Sequence, residues 1–211
     1  MAEYIGIKGS NIPAVSSDPS NPIKGQVWYN TTSNTMKGYS ASVPAGAWSA
    51  GGNVTTGRTN YGSCGTQSAA VIYLGEGPYA DKNRTEEYDG TSWAASNNCL
   101  TARQACANGI GTQTTAMAVS GTDGTVRPYV EHYNGTCWTE GTDIVTNRYS
   151  EAGAGTSTAA IIAGGINPPP AYNSCEIWDG TSWTETSNII TTRQSAQGAG
   201  TSTAMVMASG T

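Results

Sequence analysis

Four arginines, Arg58, Arg103, Arg148 and Arg193, stand 45 residues apart, and a guanidinium fork is well shaped to grip a carboxylate. Other side chains capable of chemistry are few. The five cysteines (Cys64, Cys99, Cys106, Cys137 and Cys175) show no CxxC spacing and His132 is the single histidine, so no Cys/His zinc set is expected. The thiols read as mostly free and buried, with one disulfide left open. His132 has no placed partner for a Ser-His-Asp or Cys-His arrangement. Glu86 and Glu87 alternate faces on a strand, so they do not converge as a glycosidase pair must. The expectation is no enzyme, no cofactor and no metal. Equivalent positions in successive copies of a repeat do not converge on one point. The arginines therefore read as half-buried ties to backbone carbonyls or to a carboxylate of the next copy.

The spacing belongs to a repeat. Trp48, Trp93, Trp138 and Trp183 each precede one of these arginines by ten residues. Gly65, Gly111, Gly155 and Gly200 form a third ladder, and Gly75, Gly121, Gly165 and Gly210 a fourth. The unit predicts four short strands. The first starts at the arginine, and the second is a small apolar run such as 158–163. The third carries Tyr88, Tyr133 or Trp178, and the fourth opens with the ladder tryptophan. Asp89-Gly90, Asn134-Gly135 and Asp179-Gly180 predict type I′ hairpins between the third and fourth strands. Composition agrees, because Thr, Val, Tyr and Trp favour strands while 27 glycines with Asn and Asp favour turns. Leu, Lys, Glu and Gln are scarce, which excludes a helical bundle.

Four strands in one such period match a propeller blade, and the order of these landmarks over 36–211 resembles the kelch repeat. Only Gly164-Gly165 keeps a double glycine; Leu74-Gly75, Ser120-Gly121 and Ser209-Gly210 depart from it, as in a divergent, kelch-like family. The resemblance implies an all-β fold, a small β-propeller of four kelch-like four-stranded blades, with the tryptophans packed between blades. The repeat begins in mid-unit at Lys37-Gly38-Tyr39 and Trp48. It stops after two strands of a unit, so 193–210 and 36–50 are expected to share the last blade and remove exposed edges. The alternative is an open array completed by neighbouring subunits. Function is expected where the copies differ, on the loops after the second strands. Each of these loops holds proline and a tyrosine, Tyr79, Tyr129 or Tyr172, suited to sugar or protein contact.

Residues 1–35 lie outside the repeat. A β-like start at Tyr4, Ile5 and Ile7 leads into NIPAVSSDPSNP, whose composition reads as extended or flexible. The next stretch, GQVWYNTTSNTMKGYS, resembles a hairpin of bacteriophage tail-fibre and other virion proteins through Gly25, Trp28, Tyr29, Asn30, Thr31, Lys37 and Tyr39. That resemblance implies an anchoring arm in which Tyr4, Ile5, Ile7, Trp28 and Tyr29 meet other virion structural proteins. The ring would then be displayed on the virion surface as a homo-oligomer, with a host glycan or surface receptor as partner. A bacterial extracellular adhesion module and a degenerate carbohydrate-active enzyme are the alternatives. Lys and Arg total 10 against 15 Asp and Glu, a net charge of -5 with no basic stretch, so nucleic acid is not an expected partner. No run reaches the roughly 18 apolar residues of a membrane span, and the N-terminus lacks the layout of a Sec signal.

Overall fold

A computed structural model describes residues 12–23, 25–39, 50–77, 82–168 and 170–211, and every regular element among them is a β-strand. The chain divides into two compact units, Met1–Ser49 and Ala50–Thr211.

In the first unit, β1 (Ala14–Val15) pairs in parallel with β2 (Val27–Asn30), which pairs antiparallel with β3 (Thr35–Gly38). Residues 12–23 are therefore not the loose arm that their composition suggests. The amides of Tyr29 and Thr31 donate to the carbonyls of Pro13 (3.0 Å) and Val15 (2.8 Å). Asp18 pins the segment from the other side. Its Oδ1 accepts from Trp28 Nε1 at 2.9 Å and Asn30 Nδ2 at 2.7 Å, and its Oδ2 lies 2.7 Å from Lys37 Nζ. The Lys37, Asn30 and Trp28 hydrogen bonds hold the Asp18 carboxyl down at about 2.

The second unit holds three four-stranded antiparallel meanders and a hairpin. The first meander is β4 (Gly62–Thr66), β5 (Ala69–Tyr73), β6 (Thr85–Tyr88) and β7 (Trp93–Ser96). The second is β8 (Asn108–Thr112), β9 (Thr115–Val119), β10 (Val130–Tyr133) and β11 (Trp138–Glu140). The third is β12 (Ala152–Thr156), β13 (Ala159–Ala163), β14 (Cys175–Trp178) and β15 (Trp183–Thr186). The hairpin is β16 (Gln197–Thr201) with β17 (Ala204–Ala208), and the outer edge of β17 carries no further strand among the described residues. The pairing of 193–210 with 36–50 is likewise not among the described pairings. β3 is engaged by β2, and 40–49, including Trp48, lie outside the described residues.

The strand count per unit agrees with the sequence, but three details differ. The first strand begins four or five residues after the arginine. Each arginine is followed by a left-handed residue, Asn60 (φ 53°), Ala105 (57°), Ser150 (56°) or Ser195 (56°), and this kink delays the strand. The Asp-Gly turns are not type I′, because only the glycine has positive φ. They are four-residue loops in which Asp89 Oδ1 accepts the amides of Thr91 and Ser92, both at 2.8 Å, and Asp179 repeats the pattern. Finally, β8 and β12 pair in parallel, merging two meanders into one eight-stranded sheet. Glycine permits that approach, since a Cβ on Gly153 would stand 2.7 Å from the Asn108 carbonyl oxygen.

Core packing lies between meanders. Tyr73 of β5 meets Trp138 of β11 edge-on at 5.0 Å, and its hydroxyl donates to the Met117 carbonyl at 2.8 Å. Trp138 Nε1 donates to Thr85 Oγ1 at 2.9 Å. His132 similarly lies 5.6 Å from Trp178, which stacks at 5.5 Å on Trp183. Tyr88 and Trp93 pair at 5.0 Å, with Trp93 only half-buried. The ladder tryptophans that are described thus pack as aromatic pairs, and Trp138 bridges two meanders.

Candidate functional site

The first strands of the four copies gather together: β8 touches β4, β12 and β16, and β12 also touches β16. Their starts are joined by a backbone relay through the left-handed positions. The Ala105 amide donates to the Asn60 carbonyl at 2.7 Å, Ser150 to Ala105 at 2.7 Å, and Ser195 to Ser150 at 2.8 Å. This relay borders a cavity of about 370 Å³, within the usual small-molecule range of about 300–1,000 Å³. Asn60, Asn108 and Gln197 line it with amides, and Ser63, Ser150 and Ser195 with hydroxyls.

The next position in each copy, 61, 106, 151 and 196, also lines the cavity, and there the repeat breaks down completely: Tyr61, Cys106, Glu151 and Ala196. Glu151 is 2% exposed. Its Oε1 accepts a short hydrogen bond from the Ser120 hydroxyl, whereas Oε2 has no hydrogen-bond partner. Burial pushes its carboxyl up to about 7, against smaller opposing effects of the Ser120 hydroxyl, the Glu151 and Ala107 amides and the Arg148 charge. Burial also pushes the Cys106 thiol up to about 12, so it stays neutral and unreactive near pH 7. The cavity thus combines neutral donors and acceptors with one proton-exchanging acid, and it holds no Lys or Arg among its lining residues. No group of three or more His, Cys, Asp or Glu among the described residues could hold a metal ion.

The arginine ladder does different work. Arg103 and Arg148 are fully buried, and Arg58 has a buried guanidinium. Each binds a glutamate 28 residues ahead: Arg58 with Glu86, Arg103 with Glu131, and Arg148 with Glu176, the last at 2.6 Å. The carboxylate comes from the third strand of the same copy rather than from the next copy, because that strand runs directly across from the arginine-bearing loop. The glutamates also fasten that loop. Glu131 accepts the Leu100 and Thr101 amides at 2.6 and 3.2 Å, and Glu176 those of Val145 and Thr146 at 2.7 and 3.0 Å. Burial opposes ionisation of Glu86, but the Thr55 hydrogen bonds and the Arg58 charge outweigh it and lower its pKa. Glu86, Glu131 and Glu176 recur at the arginines' own interval, a signal visible in the sequence.

The expected contact tyrosines lie elsewhere. Tyr79 lies outside the described residues. Tyr129 and Tyr172 are half-buried and absent from the cavity lining. Arg127 covers the Tyr129 ring at 5.6 Å, and the buried Arg148 guanidinium lies 5.5 Å from the Tyr172 ring. Of the expected anchoring residues, Tyr4, Ile5 and Ile7 lie outside the described residues. Trp28 is buried against Asp18, so it serves its own unit, and Tyr29 keeps 36% exposure. The five cysteines are free, and Cys137 alone among them is exposed. No helix among the described residues is long and apolar enough to cross a membrane.

Comparison with known proteins gives a fold and no family. No family model matches, and no curated protein matches. A solved structure of YjhT is similar with a TM-score of 0.64, at 9% sequence identity, over 86% of this chain and 67% of that chain. At that identity the likeness concerns the all-β fold alone.

Proposed function

We propose that this chain is a non-enzymatic structural protein of a phage-like virion, a tail or fibre component or a capsid-surface decoration, that displays a kelch-like four-bladed ring to bind host surface glycans. The observation that carries the reading is the polar cavity at the gathered first strands. It is bordered by a hydrogen-bonded backbone relay and lined by a position at which all four copies differ. The repeated arginines and glutamates hold the frame, while the divergent side chains Tyr61, Cys106, Glu151 and Ala196 line the cavity, which is the usual division between scaffold and site. The cavity replaces Tyr79, Tyr129 and Tyr172 as the contact surface in this reading. The N-terminal hairpin, knotted around Asp18, supports the role of an attachment unit joined to other virion proteins. The three meanders and the hairpin β16–β17 are the ring's wedges, and the last wedge takes its outer strands from its own N-terminal segment or from a neighbouring subunit.

One observation favours an enzyme instead: a carboxyl near 7 is poised for acid–base work. Glu151 is the single acid lining the cavity among the described residues, however, and glycoside hydrolysis ordinarily needs two. The labelled full chain on a panel of bacterial surface glycans tests the proposal. Binding that Asn108→Ala weakens is expected. Turnover of any glycan on the panel would replace the reading with the enzymatic one, and a folded protein that binds none would end it.

A further inference from the structure

Glu151 presents an energetic problem that the fold leaves unresolved. A buried carboxyl oxygen without a donor forfeits its hydration and gains nothing in exchange. Oε1 is served by Ser120, and the Glu151 and Ala107 amides weakly favour the charged form, but Oε2 has no hydrogen-bond partner. The charged and titratable groups around it do not supply the missing donor. The Arg148 guanidinium, three residues away in sequence, is committed to Glu176 and to the carbonyls of Gly164 and Ser174. Cys106 stays a neutral thiol, and Glu151 Oε2 has no hydrogen-bond partner although Tyr61 lines the same cavity. The other cavity residues are amides, hydroxyls and alanines.

We propose that the cavity bordered by Asn60, Ala105, Ser150 and Ser195 binds a small polyhydroxylated amine, an amino sugar with a free ammonium, whose nitrogen pairs with Glu151. The assignment rests on the glycan-binding reading and specifies its ligand. An ammonium supplies both a donor and the positive charge that a desolvated carboxylate lacks. The ring hydroxyls match the Asn108 and Gln197 amides and the serine hydroxyls, each of which both donates and accepts. The same lining rejects acidic sugars, since it offers no Lys or Arg to a ligand carboxylate. Cavity size agrees, because about 370 Å³ sits at the low end for small-molecule sites and suits one sugar ring rather than a long chain. The carboxyl changes charge near neutrality, so acid should neutralise it and release the amine.

Calorimetric titration of the full chain with glucosamine, glucose and N-acetylglucosamine tests the assignment. Glucosamine should bind about tenfold or more tighter than the two neutral sugars near pH 7, and this margin should vanish in Glu151→Gln. Its affinity should fall several-fold from about pH 7 to about pH 5.5 while that of glucose stays level. Gln197→Ala, an exposed position on β16, should weaken all bound sugars alike and so keeps the test open were Glu151→Gln to misfold. Equal affinity for the three sugars, or a preference that survives Glu151→Gln, would overturn the amine assignment and leave glycan binding standing. Failure of all three sugars to bind, together with a blank glycan panel, would remove both.

Discussion

Arg148 and Arg193 open nearly the same sequence, RYSEAGAGTSTAA and RQSAQGAGTSTAM, yet they occupy opposite environments. Arg148 is 0% exposed and bonds the carbonyls of Gly164 and Ser174 at 3.1 and 2.8 Å and the Glu176 carboxylate at 2.6 Å. Arg193 is exposed, with one hydrogen bond to the Ser209 carbonyl at 3.0 Å. The carbonyl at the end of the second strand is present in both copies. What differs is β14, which brings Ser174 and Glu176 to the first copy and has no counterpart beside β17 among the described residues. An arginine in this repeat is therefore buried by the strand that arrives 26 to 28 residues later, not by its own neighbourhood. The exposed apolar side chain of Val206 on β17, 71% accessible, belongs to the same incomplete state.

Substitutions can break this comparison. Glu176→Ala strands a buried guanidinium and should cost about 3–5 kcal/mol in urea denaturation. A loss below about 1 kcal/mol would show that Arg148 reaches water on its own. Trp138→Ala should cost a similar about 3–5 kcal/mol, because it removes an aromatic that bridges the first two meanders and also leaves Thr85 without its indole donor. A loss under about 1 kcal/mol would place that indole at the surface.

The cavity provides a pH-dependent contrast of intermediate size. The Glu151 carboxyl titrates at about 7 in the folded chain against an ordinary 4.5. The native state then binds the proton more tightly than the unfolded chain across that window. Stability should fall as pH rises through it, by roughly 3 kcal/mol, and level off above it. Glu151→Gln should remove the slope, and denaturation at several pH values compares the two proteins. Parallel profiles would mean that the carboxyl is hydrated. Asp18 behaves oppositely in the other unit. Its depressed pKa of about 2 stabilises the hairpin above its ordinary 3.8, and that contribution disappears as pH falls toward 2.

The smallest effect sharpens the comparison most. Arg193→Ala should change stability by less than about 0.5 kcal/mol in the isolated chain. A cost approaching that of Glu176→Ala would mean that a third strand, from this chain or a neighbour, covers β17 in solution.

Much of the frame was legible because a period is a property of the sequence. The tryptophan and arginine intervals marked out four strands per copy, and small apolar runs marked the second strands. The glutamate partners were legible too, at the same interval, but Glu86 read as half of a Glu86-Glu87 pair instead of as the first member of a series. The turn at Asp89 was misjudged because Asp-Gly suits a two-residue hairpin, whereas the carboxylate prefers to hold two amides of a four-residue loop. Trp28 looked like an exposed anchor because nothing local announces that Asp18, ten residues earlier, would receive its indole.

The cavity also left a trace. Three residues after each arginine the copies read Tyr61, Cys106, Glu151 and Ala196, so the repeat imposes no common side chain there. The amino-acid order alone settled the alternation, the period and the identity of those four side chains. Only the folded chain decided that they line one cavity and that Glu151 loses its water there. It also decided that one copy of the arginine motif, at Arg193, has no third strand over it among the described residues. Desolvation sums over every atom that surrounds a group, and here those atoms come from strands many tens of residues apart, so no local stretch carries that information.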